Sequence, residues 1–333
     1  MKKSNTCYSE FTKGNTTNSL ITIFTPTFNR AKFLHRVYEC LRGQIDHRFL
    51  WILINDGSQD ETDTLAKELL EREEIPMLYI SKPNGGKHSA FEVALAETRT
   101  EYFLCMDDDD LYRPDSIQTY LRLWDEAKAS PDFEKIGAIR TLSKKSDGTL
   151  CSTPRVEEDA SYVDRTTLEQ NYICGIRQEN WTCYRTRCLR EIDLFPKGYW
   201  LSEKHTFFSE SIWQGRFARK FKCRYVNVAL REYTDDAEFS LCRSKKSRQH
   251  YLNMFINSKM MMDEQFDYIS MRPKSLIGGG VIVSILRSKL KIPILQLLHN
   301  TPNPVLKTLY AVLWPLAWMS PKPAIRKDKT KEE

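Results

Sequence analysis

Apolar residues along this chain come in short unbroken runs separated by amphipathic stretches. Leu20-Ile21-Thr22-Ile23-Phe24-Thr25 has the length and composition of one buried strand, and Pro26 ends it. Arg30 to Leu41 then places Phe33, Leu34, Val37 and Leu41 on one helical face. Phe49 to Ile54 reads as a second strand that stops at Asn55-Asp56-Gly57-Ser58, where Ser58 and Glu61 form the pattern of a capping box for a helix through Leu70. Met77 to Ile80 supplies a third strand, Asn84-Gly85-Gly86 a tight turn, and His88 to Glu97 a further helix. Tyr102 to Met106 is a fourth strand. Strands that alternate with helices predict a largely parallel sheet covered on both faces.

Beyond residue 115 the rhythm loosens. Helices are expected over Ser116–Ala129, Glu210–Phe221 and Gln249–Met262, and strands over Ile136–Leu142, Trp181–Tyr184 and Arg224–Leu230. Past Lys274 two apolar runs stand out, Leu276–Leu286 and Leu309–Met319, each shorter than the roughly 18 residues of a membrane-spanning helix. With Trp314, Trp318 and a basic tail they suit either a helix pair packed on the main domain or segments lying in a membrane interface.

Composition narrows the class. A chain of 333 residues with 41% hydrophobic content can bury a full core. Nine cysteines without a Cys-x-x-Cys pair favour free thiols in a reducing cytosol over a zinc site or a disulfide framework. The polar stretch after Lys2-Lys3 lacks the apolar centre of a signal peptide. A net charge of +6 without interleaved basic and aromatic residues excludes a nucleic-acid groove. No Walker loop, Gly-x-Gly-x-x-Gly or Ser/His/Asp triad order occurs, which removes the kinase, dehydrogenase and hydrolase readings.

The strongest chemical signal is Asp107-Asp108-Asp109-Asp110, four carboxylates closing the fourth strand. Carboxyl ends of strands are where open α/β sheets hold ligands. On an extended segment Asp107 and Asp109 project together and could share a hard divalent ion, while Asp108 points elsewhere. Three more segments end strands in the same way: Phe24-Thr25-Pro26-Thr27-Phe28-Asn29-Arg30, Ile54-Asn55-Asp56-Gly57-Ser58-Gln59-Asp60 and Asn84-Gly85-Gly86-Lys87-His88.

In that order and spacing, over roughly residues 20–235, the set resembles the family 2 glycosyltransferases. Each motif alone is common; four at successive strand ends are specific together. The resemblance implies a GT-A fold of class α/β, a doubly wound, mostly parallel sheet with a smaller mixed acceptor-binding half and C-terminal helices. It divides the chain into a polar tail 1–19, a transferase domain 20–235 with nucleotide-binding (20–115) and acceptor (116–235) halves, and a helical, membrane-associating or packed extension 236–333. It also implies an inverting transfer from a nucleotide-sugar, a UDP-sugar first among them, to a glycan or lipid-linked acceptor in surface polysaccharide synthesis. The enzyme would be cytoplasmic and peripheral on the inner membrane face.

Carried over residue by residue, the resemblance assigns Thr25, Pro26 and Phe28 to the nucleoside pocket and Asp56 to the base. Asn84, Gly85, Gly86 and Lys87 fall along the ribose and diphosphate, Asp108 beside the nucleotide, and Asp107 and Asp109 on Mn2+ or Mg2+. A general base must take the acceptor proton. The corresponding stretch, Phe207 to Trp213, has Ser211 where the family carries Asp, so Glu210 is the first candidate and Glu203 the second. Two other classes stay open. A sugar nucleotidyltransferase would need a Gly-rich basic loop after the first strand, where Pro26-Thr27-Phe28-Asn29 stands; a non-catalytic nucleotide-sugar or glycan-binding module would need only the pocket.

Overall fold

The apolar runs become strands of a single ten-stranded sheet in a computed structural model that describes residues 9–13, 16–145, 147–151, 156, 160–176, 180–196, 198–201, 206–233 and 247–318. In chain order the strands are β1 (Ser9–Lys13), β2 (Ile21–Thr27), β3 (Phe49–Asn55), β4 (Met77–Ser81), β5 (Tyr102–Cys105), β6 (Leu111–Tyr112), β7 (Ile136–Lys145), β8 (Val163–Arg165), β9 (Trp181–Arg185) and β10 (Lys222–Tyr233). They lie in the order β1-β4-β3-β2-β5-β9-β7-β10-β6, with β8 on β10. The stretch β4-β3-β2-β5 is wholly parallel, as alternating strands and helices require. Beyond β5 the sheet is mixed, because β9 runs antiparallel to both β5 and β7.

Helices α1 (Ala31–Arg42), α2 (Thr62–Glu71), α3 (Lys87–Glu97) and α4 (Ser116–Lys128) clothe this sheet. Ile21, Ile23, Trp51, Leu53, Tyr102 and Leu104 point to one face and pack with Leu34, Val37 and Tyr38 of α1, Leu69 of α2 and Trp124 of α4. The alternate residues point the other way, where Phe24 and Phe103 meet Phe91 of α3 with ring centroids 5.8 and 5.1 Å from it. Both faces being covered explains why these strands are apolar without alternation.

Two local expectations are corrected. The segment read as a polar tail contributes β1, whose backbone pairs antiparallel with the exposed edge of β4 and needs no apolar pattern to do so. The capping box at Ser58 does not form. Helix α2 begins at Thr62, Ser58 Oγ instead accepts from Asn29 N at 2.9 Å, and Asp60 takes the amides of both Thr62 (3.1 Å) and Ala31 (3.0 Å). One carboxylate thus serves the amino ends of two helices, satisfying as many orphaned amides as the box would but one on each helix.

The described residues divide into two compact units. One lies within Met1–Thr167, Ile176–Ile192 and Phe217–Ala237 and holds the sheet; the other lies within Leu168–Gly175, Asp193–Arg216 and Glu238–Glu333. Between them the units contain the short α5 (Thr186–Arg190) and α6 (Glu210–Phe217), and the second is otherwise built on α7 (Arg248–Glu264), α8 (Phe266–Ser270), α9 (Pro273–Lys289), α10 (Ile294–His299) and α11 (Pro304–Trp318). Glycines set its packing. A side chain at Gly279 would collide with Met262 of α7, and a Cβ at Gly280 would lie 2.7 Å from Leu309 and 2.8 Å from Leu313 of α11. Three helices therefore meet closely around two adjacent residues.

Gly280→Ile is expected to lower the stability of this unit by about 1–3 kcal/mol through overpacking. Gly278→Ala, where a Cβ meets nothing within 4 Å, is expected to be neutral or to stabilise by about 0.5–1 kcal/mol. Denaturant midpoints of the two variants check the contrast.

Candidate active site

Motifs that are far apart in sequence converge because β2, β3, β4 and β5 are parallel neighbours whose carboxyl ends share one edge. Phe28 to Arg30 follows β2, Asp56 to Ser58 follows β3, Lys82 to Lys87 follows β4, and the Asp run follows β5. This is the edge at which such sheets hold ligands.

The Asp run is not extended. The chain turns through it, with Asp110 N donating to Asp107 O at 3.3 Å. Its side chains divide by exposure: those of Asp107 and Asp109 are 39% and 29% accessible, those of Asp108 and Asp110 only 7% and 3%. Each carboxylate meets a cation. Lys87 Nζ lies 2.7 Å from Asp107, Arg30 reaches Asp108 at 2.9 Å and Asp109 at 2.8 Å, and Arg231 of β10 lies 2.9 Å from Asp110. Thr27 Oγ1 donates to Asp108 at 3.0 Å, and Arg36 donates to the Asp109 carbonyl at 2.8 Å.

Environment splits the run electrostatically. Burial pushes the Asp108 carboxyl up to about 7 against the opposing Arg30 charge, and pushes Asp110 up to about 7 against Arg231. Desolvation also opposes ionisation of Asp107, but the Lys87 ammonium outweighs it and holds this carboxyl below its ordinary value. The two accessible carboxylates are hard oxygen donors suited to Mg2+ or Mn2+. Among the described residues no three His, Cys, Asp or Glu side chains gather as a ready-made cage. Two carboxylates remain a fitting donor set, since Mg2+ commonly takes one or two of them and completes its shell with water and substrate phosphate.

The loop after β4 is held by Asp56. Its nearly buried carboxylate accepts from Lys82 Nζ, from Gly85 N at 3.0 Å and from Gly86 N at 2.7 Å, while Asn84 Nδ2 donates to its carbonyl at 2.9 Å. Gly57 has a positive φ of 81°, and a Cβ there would lie 2.7 Å from Asn84 N, so glycine is required for the turn to approach the loop. Asp56 thus already receives three donors, and its first role is to staple this loop. Burial lowers the pKa of His88, with Lys82 adding to the effect and Asp56 opposing it, which suits His88 poorly as a cation for phosphate.

Of the residues assigned to the nucleoside pocket, Phe28 is 45% exposed and Pro26 partly so. Thr25 does not fit that assignment: its side chain is fully buried and its hydroxyl accepts from Trp51 Nε1 at 3.0 Å, because its position on β2 faces the helix-covered core. Trp181 is likewise core, stacked on Tyr112 at 3.9 Å and donating to the Cys105 carbonyl at 2.8 Å. Lys82, Arg30, Arg36 and Arg231 were missed as site residues. Arg30 stands inside the first motif, where its charge was a readable signal. Arg231 is more than a hundred residues from Asp110 and carries none.

Glu210 opens α6 in the second unit and is partly buried. The segment before it is tied to α7 by two asparagines one turn apart: Asn253 accepts from Phe207 N at 3.1 Å, and Asn257 accepts from Ser209 N at 2.7 Å and donates to Phe207 O at 3.0 Å. Ser211 directs its hydroxyl to Ser209 at 2.9 Å and Met261 Sδ at 3.5 Å, so it acts inside the helix start. Glu203 lies outside the described residues.

Lys82→Met would leave the Asp56 carboxylate buried without its cation, and is expected to cost about 3–5 kcal/mol of stability. Thermal and denaturant unfolding against the parent chain check it, with Lys67→Met as a surface control whose effect stays below about 1 kcal/mol.

Comparison with known proteins agrees with this geometry. The family model for glycosyl transferase family 2 matches residues 22–187, which contain all four strand-end motifs. An uncharacterized glycosyltransferase of Rickettsia typhi is 31% identical over 111 residues, covering 33% of this chain and 34% of that protein. The undecaprenyl-phosphate 4-deoxy-4-formamido-L-arabinose transferase of Pseudomonas syringae is 25% identical over 130 residues, 38% of this chain and 37% of that one. The chain therefore aligns with well under half the length of these curated relatives. Among solved structures, S. aureus TarS 1-349 in complex with UDP-GlcNAc superposes with a TM-score of 0.59 at 16% identity, covering 90% of this chain and 91% of that one, a likeness of fold. With an α/β GT-A fold and these motifs at the carboxyl edge of its parallel strands, the chain belongs to the family 2 glycosyltransferases.

Proposed function

We propose that this chain transfers a sugar, with inversion, from a UDP-sugar to a lipid-linked or glycan acceptor in surface polysaccharide synthesis. The observation that carries the reading is the meeting of four motifs at one sheet edge, where two accessible carboxylates alternate with two buried ones and every carboxylate has a cationic partner. The lipid-linked acceptor is supported by the name of the Pseudomonas relative, and a UDP donor by the complex of the TarS fold neighbour. A cytoplasmic enzyme on the inner membrane face suits such an acceptor. Among the described residues no helix is long and apolar enough to cross a membrane.

In this reading Pro26 and Phe28 bound the nucleoside, and the loop Asn84-Gly85-Gly86 passes along ribose and diphosphate with its backbone fixed by Asp56. Asp56 offers a base only what its staple leaves over. Asp108, beneath Arg30, sets the position of its neighbours. Asp107 and Asp109 would hold Mg2+ or Mn2+, which supplies charge stabilisation to the departing diphosphate. Lys87 and Arg30, now paired with those two carboxylates, are placed to turn to the phosphates once the carboxylates are otherwise neutralised. Glu210 takes the proton of the acceptor hydroxyl. That oxygen forms its bond to the anomeric carbon from the face opposite the diphosphate, whose C–O bond breaks with the electron pair leaving on UDP.

The binding-module alternative draws on one observation, that Ser211 provides no second carboxylate and is turned inward. Titration calorimetry with UDP, GDP, CDP and ADP, each with and without Mn2+, tests the donor site. UDP binding that requires the metal and weakens at least about tenfold in Asp109→Asn, a loss of about 1.4 kcal/mol, is expected; nucleotide binding indifferent to both would overturn the assignment. Glu210→Gln is expected to lower kcat by about 10²–10⁴ with donor affinity retained. Unchanged turnover in that variant would remove Glu210 as the base, and absent turnover in the parent protein with donor bound would favour the binding module.

A further inference from the structure

The two C-terminal apolar runs fold as α9 and α11 and pack on each other, yet neither helix is amphipathic in the usual sense. On α11 the buried stripe is Leu306, Tyr310 and Leu313, while the solvent-facing arc carries Val305, Ala311, Val312 and Trp314, with Lys307 and Thr308 as its polar members. On α9 the buried stripe is Gly280, Val283, Ser284, Leu286 and Arg287, and the opposite arc runs Lys274, Gly278, Val281, Ile282 and Ile285, with Lys289 half-buried and its ammonium over the Tyr251 ring of α7 at 4.8 Å. Val312 is 66% exposed, Ile277 53% and, on the intervening α10, Leu295 77%. An exposed helical arc that carries this many large apolar side chains is one that something covers.

Charge identifies the cover. The chain contains 44 Asp and Glu, yet none between Asp267 and Asp328, where Lys274, Lys289, Lys291 and Lys307 accompany the apolar residues. A second copy of this surface would set lysines against lysines. An anionic, partly apolar layer accepts both features, the lysines at headgroup level and the valine, isoleucine and tryptophan side chains at the acyl boundary.

We propose that the outward arcs of α9 and α11, with Leu295 between them in sequence, dock this transferase on an anionic phospholipid surface. The proposal rests on the membrane-facing reading of its function and deepens it, by naming the face that lies on the lipid. Attachment is interfacial, through exposed arcs of helices whose other sides are already packed.

Co-sedimentation of the full chain with vesicles of phosphatidylcholine alone, or with a third of the lipid replaced by phosphatidylglycerol, tests it. Binding only to the anionic vesicles, weakening as salt rises, is expected. The double substitution Val312→Glu/Trp314→Glu is expected to lower the apparent vesicle affinity at least about tenfold, and each of Lys274→Gln, Lys291→Gln and Lys307→Gln about fivefold. All of these positions are exposed, and unchanged circular dichroism with unchanged UDP affinity in the variants separates failure of this proposal from failure of the donor site. No binding to anionic vesicles, or binding that survives both sets of substitutions, overturns it. So does a concentration-dependent dimer in light scattering that Val312→Glu/Trp314→Glu dissolves, which would assign the face to a second copy.

Discussion

Four adjacent carboxylates at the end of a buried strand cannot stay together unless their charge is met, and the carboxyl edge of the sheet is organised around meeting it. Arg30 comes from the loop after β2, Lys87 from the first turn of α3 and Arg231 from β10, so three distant segments are drawn to one turn of chain. The buried members, Asp108 and Asp110, have the most to lose from desolvation, and they pair with arginines, whose charge persists in low dielectric. Lysine serves the more accessible Asp107, where an exchangeable partner is needed if a metal or a phosphate is to enter. The same contacts that keep the unliganded edge together also arrange cations around the place where a diphosphate would lie.

Neutralisation alone would not shape a pocket, and a second buried pair does that. Asp56 and Lys82 bind the ends of β3 and β4 together and fix the loop that leads to Lys87. With Asp56 also accepting the amides of Gly85 and Gly86, the loop backbone is held by one carboxylate, and Lys87 enters α3 already aimed at Asp107. A staple with such geometry is costly to leave half-made, since either partner alone would be a buried, uncompensated charge.

Much of this was legible in the chain because parallel strands buried on both faces write themselves as apolar runs, and because glycine and aspartate punctuate their ends. The parallel stretch covered on both faces follows from those patterns; the order of its strands does not, and the difference in exposure between Asp107 and Asp109 on one side and Asp108 and Asp110 on the other arises in a turn and not by strand alternation. What was not legible depends on partners chosen across the fold. The face of β2 on which Thr25 stands commits its hydroxyl to Trp51, the Ser58 hydroxyl goes to Asn29 while Asp60 serves two helices, and Lys82 and Arg231 are two charges among fifty lysines and arginines. Edge strand β1 escaped because backbone pairing at an edge imposes little on side chains.

In the second unit, one helix connects what would otherwise be separate devices. Asn253 and Asn257, on one side of α7, hold the segment that presents Glu210, and Glu264 at its far end holds Arg216 of α6 through contacts of 2.6 and 2.8 Å. On another side Met262 of the same helix sits over Gly279 of α9. Packed interiors transmit displacement because they have little free volume to absorb it. A helix fixed at once to the Glu210 segment and to the apolar pair α9 and α11 therefore ties the placement of the candidate base to the packing of the helices that carry the exposed apolar arcs.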